Sequence, residues 1–180
     1  MRYEDGTVPQ ILDIVVVPLA RAEPHQHQQE NHVIDPTYYW TKTGTMEWTN
    51  VQGAIEHANG PLWVNGHSSS NGLNDRVPED QCDQFKRSLY LVAPAQLTLV
   101  VGTETNPFGT RRRVRADFDL SGHSYSLSMT DPVVEQVYFH RGDGNYPVAN
   151  ALLCVSLGEA FHGHAYKLAA AVITNAEPEQ

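Results

Sequence analysis

Apolar and polar positions follow different rules in the two halves of the chain. Up to about residue 64 the apolar residues come in short clusters between polar stretches. The run Ile14-Val15-Val16-Val17 is β-branched and closed by Pro18, so residues 10–19 are expected to form a strand. Residues 21–31 are polar and read as a loop. Tyr38, Tyr39, Trp40 and Trp48 suggest short aromatic strands about a turn at Gly44. Thr49 is placed to cap a brief helix through Val51, Ala54, Ile55 and Ala58, which Gly60-Pro61 would end. After Leu62-Trp63-Val64, residues 65–75 are rich in glycine and serine. They are expected to be a mobile loop, with a domain junction near residue 80.

From residue 88 the pattern becomes regular. A strand centred on Leu97, Leu99 and Val101 is preceded by another over residues 89–92, and Asn106-Pro107-Phe108-Gly109 is a turn signal. Residues 112–120 alternate: Val114, Ala116, Phe118 and Leu120 share one face. Arg111, Arg113, Arg115, Asp117 and Asp119 share the other. Ser121-Gly122 fits a tight hairpin, and the return strand points Tyr125, Leu127 and Met129 one way. Asp131-Pro132 reads as the N-cap and first position of a short helix carrying Val133, Val134, Val137 and Tyr138. A loop over 141–147, a strand over 152–157, a turn over 158–163 and a last strand over 166–173 complete the pattern. The succession of three strands, a helix and two strands predicts an OB-type barrel over residues 86–173. Residues 174–180 read as a flexible tail.

Composition narrows the class. A chain of 180 residues with 41% hydrophobic and 18% charged residues can bury its own core and is not disordered in character. Its 21 acidic and 12 basic side chains give a formal charge of −9, which argues against holding nucleic acid or an anionic membrane by bulk charge. A local basic face is compatible with that total. No apolar run approaches the ~20 residues needed to span a bilayer, and residues 1–6 lack the apolar core of a secretory signal. Cys82 and Cys154 have no metal-ligand spacing and form no disulfide framework, so a reducing, cytoplasmic setting without a membrane partner is expected.

Several phrases resemble the dual OB-containing domain family of prokaryotes. They are Arg2-Tyr3-Glu4-Asp5-Gly6 leading into Pro9-Gln10-Ile11-Leu12-Asp13-Ile14-Val15, then Gln29-Glu30-Asn31-His32, Asn74-Asp75-Arg76-Val77 and Thr130-Asp131-Pro132. Ser156-Leu157-Gly158-Glu159 and Tyr166-Lys167-Leu168 complete the set. The resemblance spans nearly the whole chain. It implies a mainly β fold with short helices, built from two OB-type barrels, and nucleic-acid binding in prokaryotic conflict and defence. Family members usually carry a further strand-rich segment ahead of the part matching Arg2. Its absence here implies either a partial N-terminal OB-like domain over residues 1–80, with long loops, beside a complete C-terminal barrel, or a start placed too far downstream.

The candidate chemistry lies in two clusters. In a strand, Arg111, Arg113 and Arg115 stand about 7 Å apart on one face, close to the phosphate spacing of a single strand. OB folds bind single-stranded DNA or RNA on such cationic faces with the help of aromatic stacking, here from Phe108 or Tyr90, and Arg141 and Lys167 are candidate helpers. The plain alternative is a solvated strand whose arginines pair with Asp117, Asp119 or their neighbours. The second cluster, His25, His27, Glu30 and His32, has the residue types for a divalent metal such as Zn or Fe and would imply a metal-dependent enzyme. It resembles the cupin motif, but Glu30 follows His27 after too few residues and the second cupin motif is absent. His162-Gly163-His164 is a weaker version in a turn. Gly66-His67-Ser68-Ser69-Ser70 lacks the context of a hydrolase serine, and Gly142-Asp143-Gly144-Asn145 has turn chemistry without the acids of a calcium loop. Glu159, Tyr166 and Lys167 would either line a shared pocket or form an ordinary surface pair flanking a core aromatic. A scaffold for a protein partner is the third reading.

Overall fold

The computed structural model describes residues 2–106 and 109–175, with the backbone alone at Asn106. They fold as two compact units, one of residues 2–55 with 86–88 and one of residues 56–85 with 89–175.

The first unit contains four short strands, β1 (Asp13–Val16), β2 (Leu19–Ala22), β3 (His32–Ile34) and β4 (Thr41–Thr45). They form two antiparallel pairs, β1 with β4 and β2 with β3. The single strand expected over residues 10–19 is divided because Pro18 has no N–H to donate to a ladder. The helix expected from Thr49 is reduced to α1 (Trp48–Val51) and a 3-10 turn at Gln52–Ala54, with Glu47 at an N-cap that makes no side-chain bond. Among the described large apolar residues of this unit only Val51 is fully buried, while Val8, Ile11, Ile14, Val16 and Leu19 are exposed. Two-stranded pairs are marginal alone. A polar tie supplements them: the Asp13 carboxylate accepts from Tyr3 Oη at 2.8 Å and Gln10 N at 3.0 Å and pairs with Lys42 Nζ at 2.5 Å. Lys42 and these hydrogen bonds hold the Asp13 carboxyl down at about 2, and burial with Asp13 beside it pushes the Tyr3 phenol up to about 12.

The second unit carries β5 (Arg76–Pro78), β6 (Leu89–Val92), β7 (Leu97–Asn106), β8 (Gly109–Leu120) and β9 (His123–Met129). These are followed by α2 (Pro132–Arg141), β10 (Gly144–Val148), β11 (Ala151–Phe161) and β12 (His164–Thr174). The expected succession of three strands, helix and two strands is present, preceded by the expected strand at β6, with β5 and β10 added. The sheet runs β10-β7-β8-β9-β12-β11-β6, and β5 pairs with β12 off that path. The chain is therefore mainly β with short helices, as expected, but the expected OB-type barrel is not formed. Among the described residues the sheet is open, because its end strands β10 and β6 do not pair with each other. Closure would require a free edge on β7 to meet a free edge on β11. β10 occupies the first along Leu97–Val101, and β6 occupies the second along Leu153–Ser156.

Alternation builds the core. Val114, Ala116 and Phe118 of β8 and Tyr125, Leu127 and Met129 of β9 are buried together with Leu97, Leu99 and Val101 of β7. Ser121 and Gly122 take positive φ of 51° and 79°, which a two-residue hairpin requires. The meander β7-β8-β9 joins the hairpin β11-β12 through a parallel seam of two residue pairs, Ser128 with Leu168 and Met129 with Ala169. Elsewhere along the seam the strands are separated by the segment containing Leu73 and β5. Leu73 exchanges both backbone hydrogen bonds with Ser126, and Arg76, Val77 and Pro78 pair with Tyr166, Ala165 and His164. The inserted segment satisfies backbone groups that the splayed strands would otherwise leave unpaired.

Asp131 caps α2 as its sequence position indicates, accepting from Val133 N at 2.9 Å and Val134 N at 3.2 Å. Asp131→Ala is expected to lower stability by about 1 kcal/mol, measured by urea unfolding, with the unfolding slope unchanged.

Candidate nucleic-acid interface

The arginine run lies where the β7–β8 ladder outlasts its core. Val101 opposite Val114 is the last fully buried pair. Beyond it Gly102, Thr103 and Glu104 face Arg113, Arg112 and Arg111 in unbroken register. With no apolar side chains at these positions, the ladder is held by backbone hydrogen bonds and cross-strand polar pairs.

The three arginines expected to act together differ in environment. Arg115 has only 12% of its side chain exposed. Its Nε and Nη2 form a fork on Glu104 at 2.5 and 3.2 Å, Nη1 donates to Ser126 O at 3.1 Å, and Asp75 Oδ2 lies 3.7 Å away. Arg113 is about one-third exposed and sits 3.8 Å from Glu135 of α2, a loose ion pair. Arg111 is exposed. Its register partner Glu104 is already forked by Arg115, and Arg111 has no ion pair among the described residues. Arg112 points the other way and is tied to α2: Nε meets Asp143 at 2.8 Å and Nη1 donates to Phe139 O at 2.9 Å. Arg141 ends α2, exposed, its guanidinium 4.8 Å from the Tyr138 ring centre. Asp117 and Asp119, the partners considered from sequence, instead accept from Ser126 and Ser124 hydroxyls across the β8–β9 ladder.

Lys167 is far from solvent. It is 1% exposed, and Nζ donates to Val64 O at 2.5 Å and Asn65 Oδ1 at 2.9 Å, 5.3 Å from the Tyr125 ring centre. Tyr125 Oη in turn accepts from Leu62 N and Asn65 Nδ2. Burial pushes the Lys167 ammonium down to about 7, against the pull of Asp75. Tyr166 and Lys167 point to opposite sides of β12 and do not share a pocket with the exposed Glu159. Tyr90 packs edge-on against Trp63 at 5.0 Å, while Phe108 and the expected tail beyond Asn175 lie outside the described residues.

Asp75, which in sequence belongs only to the phrase Asn74-Asp75-Arg76-Val77, is central to this region. It is 3% exposed, accepting from Ser69 N at 2.6 Å and Ser69 Oγ at 2.5 Å. Its carboxylate lies so close over Gly72 that a Cβ there would collide with it. The loop 65–75 is thus anchored from within, by Asp75 and by Asn74, which accepts from Gly66 N and donates to Ser124 O.

The histidine cluster does not assemble. His25 and Gln28 exchange backbone hydrogen bonds around Gln26, whose φ is +49°, so His-x-His lies in a tight turn and not in a strand. His27 is buried and His25 exposed. Glu30 is held by Ser88 N and Oγ, at 2.7 and 2.5 Å, and His32 Nδ1 meets Glu30 O. Among the described residues no group of three or more His, Cys, Asp or Glu is placed to hold a metal ion. Cys82 and Cys154 are both free thiols.

The open sheet, with arginines on its β7–β8 ladder, defines a β-rich protein of net negative charge. Over residues 1–172 the chain matches the Dual OB-containing domain family, and it belongs to that family. No curated protein and no solved structure matches it. No described helix is long and apolar enough to cross a membrane.

Two outcomes follow from these environments. Arg115→Ala leaves Glu104 and Asp75 without their cation and is expected to cost about 3 kcal/mol, whereas Arg111→Ala is expected to stay within about 0.5 kcal/mol of the parent; thermal unfolding compares them. Lys167 has a folded-state value below its unfolded value of about 10.4. From pH 7 upward the unfolded chain therefore holds a proton that the folded chain lacks, and stability rises with pH. Between pH 7 and 8.5 the gain is about 1–2 kcal/mol, and Lys167→Met should flatten it. The Cys82 and Cys154 thiols, pushed up by burial, oppose the trend at higher pH in both proteins.

Proposed function

We propose that the protein binds single-stranded nucleic acid through the exposed end of the β7–β8 ladder, with Arg111 and Arg113 as the phosphate contacts. The observation carrying this reading is the diversion of Glu104 to Arg115, which leaves the guanidinium of Arg111 exposed and, among the described residues, without an ion pair. Arg113 is weakly engaged, since a bridge of 3.8 Å at one-third exposure contributes little. The two guanidinium groups share one face about 7 Å apart, and each can fork onto a phosphate. Arg115 acts as a positioning residue, because it is enclosed and holds Glu104 away from Arg111. Arg112 fixes α2 against the ladder, and Arg141 adds positive charge at the end of that helix. Lys167 has no part in the contact. Family membership supports the reading at the level of class.

With a formal charge of −9 the body of the protein repels polyanions, so binding depends on this edge and is strongly salt-sensitive. Replacing Arg111 and Arg113 together by alanine is expected to weaken single-stranded oligonucleotide binding. The slope of log affinity against log salt should flatten by about 1.4, at about 0.7 for each lost single-strand phosphate contact. Fluorescence anisotropy with labelled DNA and RNA oligonucleotides at several salt concentrations measures both. An unchanged affinity and slope would overturn the assignment.

A further inference from the structure

We infer that the first unit carries a second, separate binding site, a cleft for a nucleotide bounded by Arg2 and the sequence Tyr38-Tyr39-Trp40. The cleft encloses about 390 Å3, a size suited to a small ligand. Ile34, Asp35, Pro36 and Thr37 complete its lining. Its frame is fixed at both ends. Asp35 N donates to Pro18 O at 2.9 Å, Asp35 Oδ1 accepts from Thr37 N and Oγ at 2.9 and 2.6 Å, and Trp40 N donates to Arg2 O at 3.4 Å. Tyr3 and Trp40 add a parallel bridge beside Arg2.

Exposed aromatic rings mark the cleft. Tyr38 is 66% and Tyr39 51% exposed, an arrangement that leaves large apolar faces in water unless a ligand covers them. Tyr39 and Trp40 also wall a neighbouring hollow lined by Tyr3 and Lys42. The cations of the two hollows differ in availability. Lys42 is neutralised by Asp13 at 2.5 Å, whereas Arg2 is exposed and has no ion pair among the described residues. Arg2 and the aromatic residues line one cleft, in which Asp35 is the acidic residue and has its Oδ1 taken by Thr37 N and Oγ. An arginine with aromatic rings suits a ligand that is both planar and anionic. A nucleobase offers the plane and its phosphate the charge. A cationic peptide would meet Arg2 unfavourably, and a neutral glycan would leave the guanidinium unused. The nucleotide can be free or part of a strand, since both present the same chemistry. The site does not depend on the arginine ladder of the second unit.

Titrating the full chain with the four nucleoside monophosphates, their nucleosides, and a short single-stranded oligonucleotide tests this, read by tyrosine and tryptophan fluorescence. Monophosphates should bind, and Tyr38→Ala and Tyr39→Ala should each weaken them by about tenfold, the scale of one lost stacking contact. Tyr38→Phe should retain affinity, and Arg2→Gln should abolish the preference for monophosphate over nucleoside. The Arg111/Arg113 alanine variant should bind monophosphates like the parent, so loss of oligonucleotide affinity there and retention here separates the two sites. Oligonucleotide affinity that also falls with Tyr38→Ala assigns the cleft to strand binding, and oligonucleotide affinity unchanged by it assigns the cleft to a free nucleotide. Absence of monophosphate binding, binding indifferent to Tyr38, Tyr39 and Arg2, or saturation by a neutral oligosaccharide instead would overturn the inference.

Discussion

The parallel seam between β9 and β12 is the constraint on which the second unit depends. Parallel pairing is demanding because it needs a crossover, here the stretch through α2, β10 and β11, and it is made by two residue pairs only. Where the two strands part, their facing N–H and C=O groups need other partners. Leu73 and β5 fill that gap with backbone hydrogen bonds, and Lys167 N donates to Asp75 O at 2.8 Å within it. Residues 73–78 are thus a structural member of the sheet. Of the polar groups in residues 62–78, Asn65 meets Lys167 and Tyr125 and Asp75 meets Arg115 from the strands, while Ser69 holds Asp75 in place.

That insertion also sorts the arginines. Asp75 sits close enough to attract Arg115 inward, and Arg115 takes Glu104 with it. On a bare ladder Glu104 would lie directly opposite Arg111 and neutralise it. A buried contact near the seam thereby decides that Arg111, four residues along β8, faces solvent. The histidine-rich turn of the first unit illustrates the opposite case. There the local backbone, bent at Gln26, separates side chains that the sequence spaces as metal ligands.

Local pattern carried most of the second unit. The alternation over β8 and β9, the Ser121-Gly122 hairpin and the Asp131 cap follow from residue-by-residue chemistry, and each appears where its signals lie. Closure was not legible, because whether an edge is free depends on which distant strand reaches it first. β10 arises from Gly144–Val148, a stretch with Gly and Pro that reads as loop until Tyr146 and Val148 are seen against β7. The burial of Lys167 is legible in local pattern: Ala165 and Ala169 share its face of β12, and their small side chains leave room for a long one. Burial of Arg115 was not, since the cover comes from residues about 40 positions away in sequence.

The path of the chain between its two units limits how the protein can be divided. Leu62, Trp63, Val77 and Cys82 all belong to the apolar core that β6 to β12 enclose, although they precede those strands in sequence. Residues 86–88 return to the first unit, where Ser88 grips Glu30, before β6 begins. A fragment started at residue 86 would therefore open a hole in its own interior and expose the seam. Any dissection of the two units has to proceed by point substitution in the intact polypeptide.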